Sequence, residues 1–227
     1  MSPCQQRELF EWLCAMQNDK ATADAPKFVA SPSILLPRKI EMEMVSLAGG
    51  AVPQRKGRAT SLRYDSWLGY PWSTNALLDH IVQNGIRNVI FLSGDEHLFC
   101  LAKARITAKD GKSALIHSIH CSPMYAPLPF ANATAAEFPE VDTFDFLAPE
   151  GPRTEYNCIA WSEVQKGIRS GYTEIVTAHD QGTWTVKVRF QDANEKNPAP
   201  WRTLTEEDGV DKSGLMASSL MSCAYLS

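Results

Sequence analysis

The stretch that most constrains the fold runs from residue 73 to residue 97. Ser73 reads as a helix N-cap, because a serine there accepts from the free N–H groups of the first turn. Leu77, Leu78, Ile81 and Val82 follow at helical spacing and form one apolar stripe. Gly85 then supplies the left-handed residue with which helices commonly end. Asn88 to Ser93, NVIFLS, is an apolar run of strand length and predicts a strand buried on both faces. Helix, glycine and buried strand in succession predict an α/β layer. The strand ends on Gly94-Asp95-Glu96-His97.

That ending is where chemistry is expected. In open α/β sheets ligands bind outside the carboxyl ends of the strands. Glycine allows a sharp turn there and a close approach to the backbone. Asp95 and His97 are two residues apart, so in extended geometry they point to one side. A carboxylate beside an imidazole is half of a metal site. The four residues alone leave two readings: a metal half-site, or a structural histidine satisfied at a strand end. A second cluster, Arg63-Tyr64-Asp65-Ser66-Trp67-Leu68-Gly69-Tyr70-Pro71, lies just upstream. It reads either as a pocket wall or as a loop whose Trp67 and Tyr70 anchor the next helix on the core. Asp65 suits a turn cap or a partner for a positive group.

The rest of the chain fits around this unit. Ser2 and Pro3 start a helix, with Leu9, Trp12, Leu13 and Met16 on one face and Asn18-Asp19-Lys20 at its end. Residues 27–31, KFVAS, read as a buried strand. Residues 38–62 mix charge, Gly49-Gly50, Pro53 and a basic run, which predicts a long surface loop. Ala114 to His120 suits a strand, and Thr183 to Phe190, TWTVKVRF, alternates as an antiparallel strand does. His117 and His120 are expected on opposite sides of their strand in structural roles, and His179 near a turn. The polar stretch 191–227 is expected to be a loosely ordered tail.

Composition narrows the class. An apolar fraction of 44% and a charged fraction of 21% allow a packed core. A net charge of −4 excludes the basic surface usual for nucleic-acid binding, so no nucleic-acid partner is expected. No apolar run reaches 18 residues, so no membrane-spanning helix is expected. The six cysteines form no C-x-x-C pair and read as scattered buried thiols rather than a disulfide framework.

Taken in order, D-S-W-L-G-Y (65–70), a helix carrying Leu77-Leu78, and N-V-I-F-L-S-G-D-E-H (88–97) resemble the C-terminal half of alkaline phosphatase D-like (PhoD-like) metallophosphatases. The likeness is good over about residues 5–101 and compatible from Tyr156 to Phe190. It implies part of a layered α/β/β/α sandwich with mixed sheets, residues 1–190 being the C-terminal portion of the domain. It implies metal-dependent hydrolysis of small-molecule phosphomonoesters or phosphodiesters. Calcium, iron, manganese or zinc are the metals to consider. By the same resemblance Asp95 and His97 are metal ligands, His97 is catalytic, and Asp65 and Tyr70 contact substrate. Two departures stand out. Ser73, Thr74 and Asn75 replace an arginine often found in the family's helix. The early G-D and G-N ligand motifs are also missing, since Gly94-Asp95 is the chain's one Gly-Asp pair. The chain is therefore expected to be an incomplete site with weak activity, or a non-catalytic, partner-binding α/β remnant.

Overall fold

The computed structural model describes residues 1–47, 50–58, 67–94, 97–124, 135–151, 153–164, 170–193 and 195–204, with backbone alone for 41–58. Helix α1 (Pro3–Asn18) opens with a capping box: Ser2 Oγ accepts from the Gln5 N–H, and the Gln5 side chain returns the bond to Ser2 N–H. Its inner face buries Leu13 completely, with Leu9, Phe10 and Cys14 packed beside it. Trp12, expected on that face, is 39% exposed. Helix α2 (Pro71–Gln83) buries Leu77, Leu78, Ile81 and Val82, so the predicted stripe is its core face.

Both helices lie on one face of a six-stranded sheet of order β1-β4-β6-β5-β8-β7. Its strands are β1 (Lys27–Ala30), β4 (Val89–Ser93), β5 (Cys100–Ala108), β6 (Ser113–His120), β7 (Val141–Leu147) and β8 (Glu155–Val164). The β1, β4 and β6 strands are mutually parallel; β6, β5, β8 and β7 alternate in direction. Alternate residues serve opposite layers, as the two-residue period of a strand dictates. Val89 and Phe91 pack under the helices, while Ile90 packs on the far side. There it meets Val186, Val188 and Phe190 of a second sheet of order β11-β10-β9. That sheet comprises β9 (Gly171–Asp180), β10 (Thr183–Asp192) and β11 (Arg202–Leu204). Burying each such aliphatic or aromatic side chain is worth roughly 1.5–3 kcal/mol. The two apolar layers thus fix β4 at the centre of an α/β/β arrangement.

Two local devices hold the parallel half together. Lys27 is 1% exposed, and its ammonium donates to the carbonyls of Ala23 (2.8 Å), Ala25 (3.2 Å) and Arg87 (3.0 Å). All three N–H bonds are used, which offsets the burial that lowers its pKa. The β1 start is thereby tied to the link between α2 and β4. Gly171 holds the second sheet against the first. A Cβ there would sit 2.0 Å from the Gln191 carbonyl oxygen and 3.1 Å from Phe99 Cζ. Gly171→Ala must therefore move the β9–β10 backbone apart. It should lower the unfolding free energy by about 1–3 kcal/mol, the range for overpacking; a urea midpoint equal to the parent's would refute this close-approach role.

Several expectations are corrected. The stretch 38–62 is not one loop: β2 (Ile40–Leu47) and β3 (Gly50–Arg58) form an antiparallel two-stranded sheet. The alternation of Ile40, Met42 and Met44 with Glu41 and Glu43 carried that signal beneath the charge. Helix α2 begins at Pro71 and not after Ser73, because proline suits the first helical position and Ser73 is buried in the first turn. The stretch from 191 is not uniformly loose: β10 runs on to Asp192, and Arg202–Leu204 pairs antiparallel with Val186–Val188. Backbone pairing there outweighs the polar composition. Residues 205–227 lie outside the described residues.

Candidate functional site

The parallel strands β1, β4 and β6 all end at one edge of the sheet, and each delivers a polar side chain there. Ser93 ends β4 and is the register partner of His120, which ends β6; Cys100 of β5 pairs with His120 on its other side. Ser31 follows β1, and its N–H donates to Leu92 O (2.8 Å), which places it beside Ser93. A row Ser31–Ser93–His120–Cys100 thus crosses the sheet on its helix-facing side.

The row is tightly bonded. Ser93 Oγ lies 2.9 Å from His120 Nδ1. Trp67 Nε1 donates to Ser31 Oγ (2.8 Å), and Ser31 Oγ donates to Ser33 O (2.9 Å). Trp67 is in turn fixed by Thr74 of α2, whose hydroxyl donates to Trp67 O (3.0 Å). Electrostatics keeps these groups uncharged. Burial pushes His120 down to about 4, and the Lys39 charge adds to the effect. Burial pushes the Cys100 thiol well above the ordinary range, with Glu163 contributing, so Cys100 is not a thiolate nucleophile. Ile34, Leu98 and Phe138 close over Cys100 as an apolar plug. At the same end α2 begins at a Tyr70 N-cap whose own side chain makes no cap bond to the positive pole of the helix.

Just beyond the row, the chain segment after β1 is pinned to the far edge of the sheet. Arg38 binds the Asp142 carboxylate through Nε and Nη2, each at 2.9 Å, and through its backbone N–H at 3.1 Å. Its guanidinium stands 3.4 Å from the Phe144 ring centroid.

The sequence-predicted site residues distribute as follows. His97 is half-buried and adopts φ of 56°. Just after this left-handed residue, Leu98 and Phe99 enter different apolar clusters. Among the described residues, the Cys121 carbonyl at 3.7 Å is the one near neighbour of a Cβ placed on Gly94. Tyr70 is 52% exposed and does not anchor α2 on the core; Trp67 does so alone of the pair. Asp65 and Asp95 lie outside the described residues, and with them the expected proximity of the two motifs' acids. What the structure does join is Trp67 of the first motif to Ser31, one strand away from Ser93, which leads into the second. His117 and His120 occupy opposite faces, as their odd spacing requires, and both are buried. His179 stacks on Trp184 beside the β9–β10 turn. Sequence reasoning missed Ser31, Ser93 and Lys39. The available signal was that two apolar strand runs, KFVAS and NVIFLS, each close on serine.

Helices on one face of a mixed sheet, a small second sheet on the other, and a polar row at the ends of the parallel strands define an α/β/β protein with its site at a strand mouth. A PhoD-like phosphatase family model matches residues 11–183, and the chain belongs to that family. Among solved structures, one described as the structure of PhoD matches at 15% identity and a TM-score of 0.45, over 90% of this chain and 35% of that one. The chain thus spans about a third of the length of that protein. No curated protein matched the chain.

Proposed function

We propose that the chain contributes the C-terminal part of a metal-assisted phosphoester hydrolase site, residues 1–190 holding that portion of the domain. The observation that carries this reading is the convergence of Trp67 and Ser93 on adjacent strand ends, which brings both motif segments to one mouth. There Asp95 and His97 are the metal ligands and His97 the group beside the reacting phosphoryl. Asp65 and Tyr70 face a small-molecule phosphoester, whose negative charge suits the positive end of α2. Calcium, iron, manganese or zinc would polarise phosphoryl oxygens and acidify a bound water when present. Among the described residues no three His, Cys, Asp or Glu side chains cluster as a metal-holding group, and of the proposed pair only His97 is described. Two ligands hold a metal weakly, so slow turnover is part of the proposal.

The test is hydrolysis of a chromogenic phosphomonoester and a phosphodiester by the purified chain, with each of the four metals added. Slow, metal-dependent turnover that disappears in Asp95→Asn and in His97→Ala is expected. Turnover that survives both substitutions would sink the assignment of the ligands.

A further inference from the structure

We propose that His120 is a positioning residue: through Ser93 it clamps the last residue of β4 and so fixes the strand end from which the segment carrying the proposed ligands departs. The inference rests on the reading of that segment as part of the site. The described residues on either side of that segment are both held. At its far end Leu98 and Phe99 are 2% and 0% exposed, seated in separate apolar clusters. At its near end the backbone bond from Cys121 N–H to Ser93 O (2.9 Å) fixes the β4 main chain. The Ser93 hydroxyl then adds a directed bond to His120 Nδ1 (2.9 Å). His120 itself has no freedom to drift, being 0% exposed and paired in register with both β4 and β5.

The choice of residues supports a directional role. One row earlier on the same face β1 and β4 carry the apolar Val29 and Phe91, while β6 carries Ser118. Apolar residues in the next row would supply comparable stability without desolvating a hydroxyl and an imidazole. A buried hydroxyl–imidazole bond gives instead one fixed geometry at the strand end. Such a bond counts where the next four residues carry chemistry, because outer hydrogen bonds orient ligating groups. Lys39, the charged group acting on His120, keeps the ring neutral and suited to this bond.

The experiment uses the full chain with Ser93→Ala, Ser93→Thr and His120→Phe, read by amide hydrogen exchange, manganese binding followed by electron paramagnetic resonance, and thermal melting. In Ser93→Ala and His120→Phe, the amides of Gly94 to Phe99 should exchange about tenfold faster or more, while those of β10 stay unchanged. Manganese should bind about tenfold more weakly in Ser93→Ala, and Ser93→Thr, which keeps the hydroxyl, should restore the parent values. Unchanged exchange across Gly94–Phe99 in Ser93→Ala overturns the clamp, whether or not His120→Phe folds. So does faster exchange spread over the whole chain with a lowered melting temperature, which marks a purely structural pair. If the parent protein binds no manganese, the metal-site reading fails, while the exchange measurement still decides the clamp.

Discussion

Replacing Arg38 by alanine should lower the unfolding free energy by about 3–5 kcal/mol, the range for breaking a buried ion pair by removing one member. Asp142 is 2% exposed, and Arg38 supplies it with two guanidinium bonds and one backbone bond. Truncation removes both side-chain bonds and also the cation from the face of Phe144. Asp142→Ala should cost less, because Arg38 at 18% exposure can turn toward water. The pair Arg38→Met with Asp142→Leu should recover most of the loss, since apolar residues of similar volume replace buried ion pairs with little penalty. Urea unfolding of the three variants measures these differences. A loss below about 1 kcal/mol for Arg38→Ala would mean that the pair is exchanged for water at little cost, as exposed pairs are.

The second large effect is on pH. His120 titrates at about 4 in the folded chain against an ordinary 6.5, because burial and the Lys39 charge disfavour its cation. Between those values the unfolded chain takes up a proton that the folded chain refuses. Stability contributed by this group is therefore complete above pH 6.5, falls as the pH drops through the window, and levels off below about 4. The loss amounts to roughly 3 kcal/mol at 1.36 kcal/mol per pH unit. Denaturant unfolding at half-unit intervals from pH 7.5 to 4 should show a slope approaching one proton. His120→Phe should remove that slope even if its overall stability differs. A parent curve flat over this range would show that His120 is hydrated or paired in a way that lets it charge.

Much of the fold was legible where local pattern and burial agree. The α2 stripe, Gly85 and β4 follow from a period of 3.6 giving way to an apolar run, and TWTVKVRF follows from strict alternation. The β2–β3 pair was masked because charge, Pro53 and paired glycines dominate its composition, while alternation, the relevant variable, is weaker there. The start of α2 was misplaced by two competing caps, of which proline at the first helical position won. The site was legible in part. Gly94 follows directly on the end of a central strand, as its position after NVIFLS demanded, while Asp95 lies outside the described residues. The pairing of Ser93 with His120 depends on register between strands 27 residues apart, and that of Trp67 with Ser31 on a loop contact 36 residues apart, neither of which local spacing encodes. His120 was read as structural, and nothing in its flanking residues announces that its partner is the residue before Gly94.

The β9–β10 hairpin has a consequence for the order in which the chain folds. Its ten register pairs are closed by Gln181–Gly182, both at positive φ as a type I′ turn requires. Every one of those contacts is local in sequence, and such hairpins form in roughly 1–10 μs. The β1–β4 ladder instead joins Lys27 to Val89, with the β2–β3 pair and α2 in between. Closing so long an excursion must precede any reward from the parallel pairing. The hairpin is therefore expected to form before the parallel half of the large sheet, whose closure should limit the folding rate.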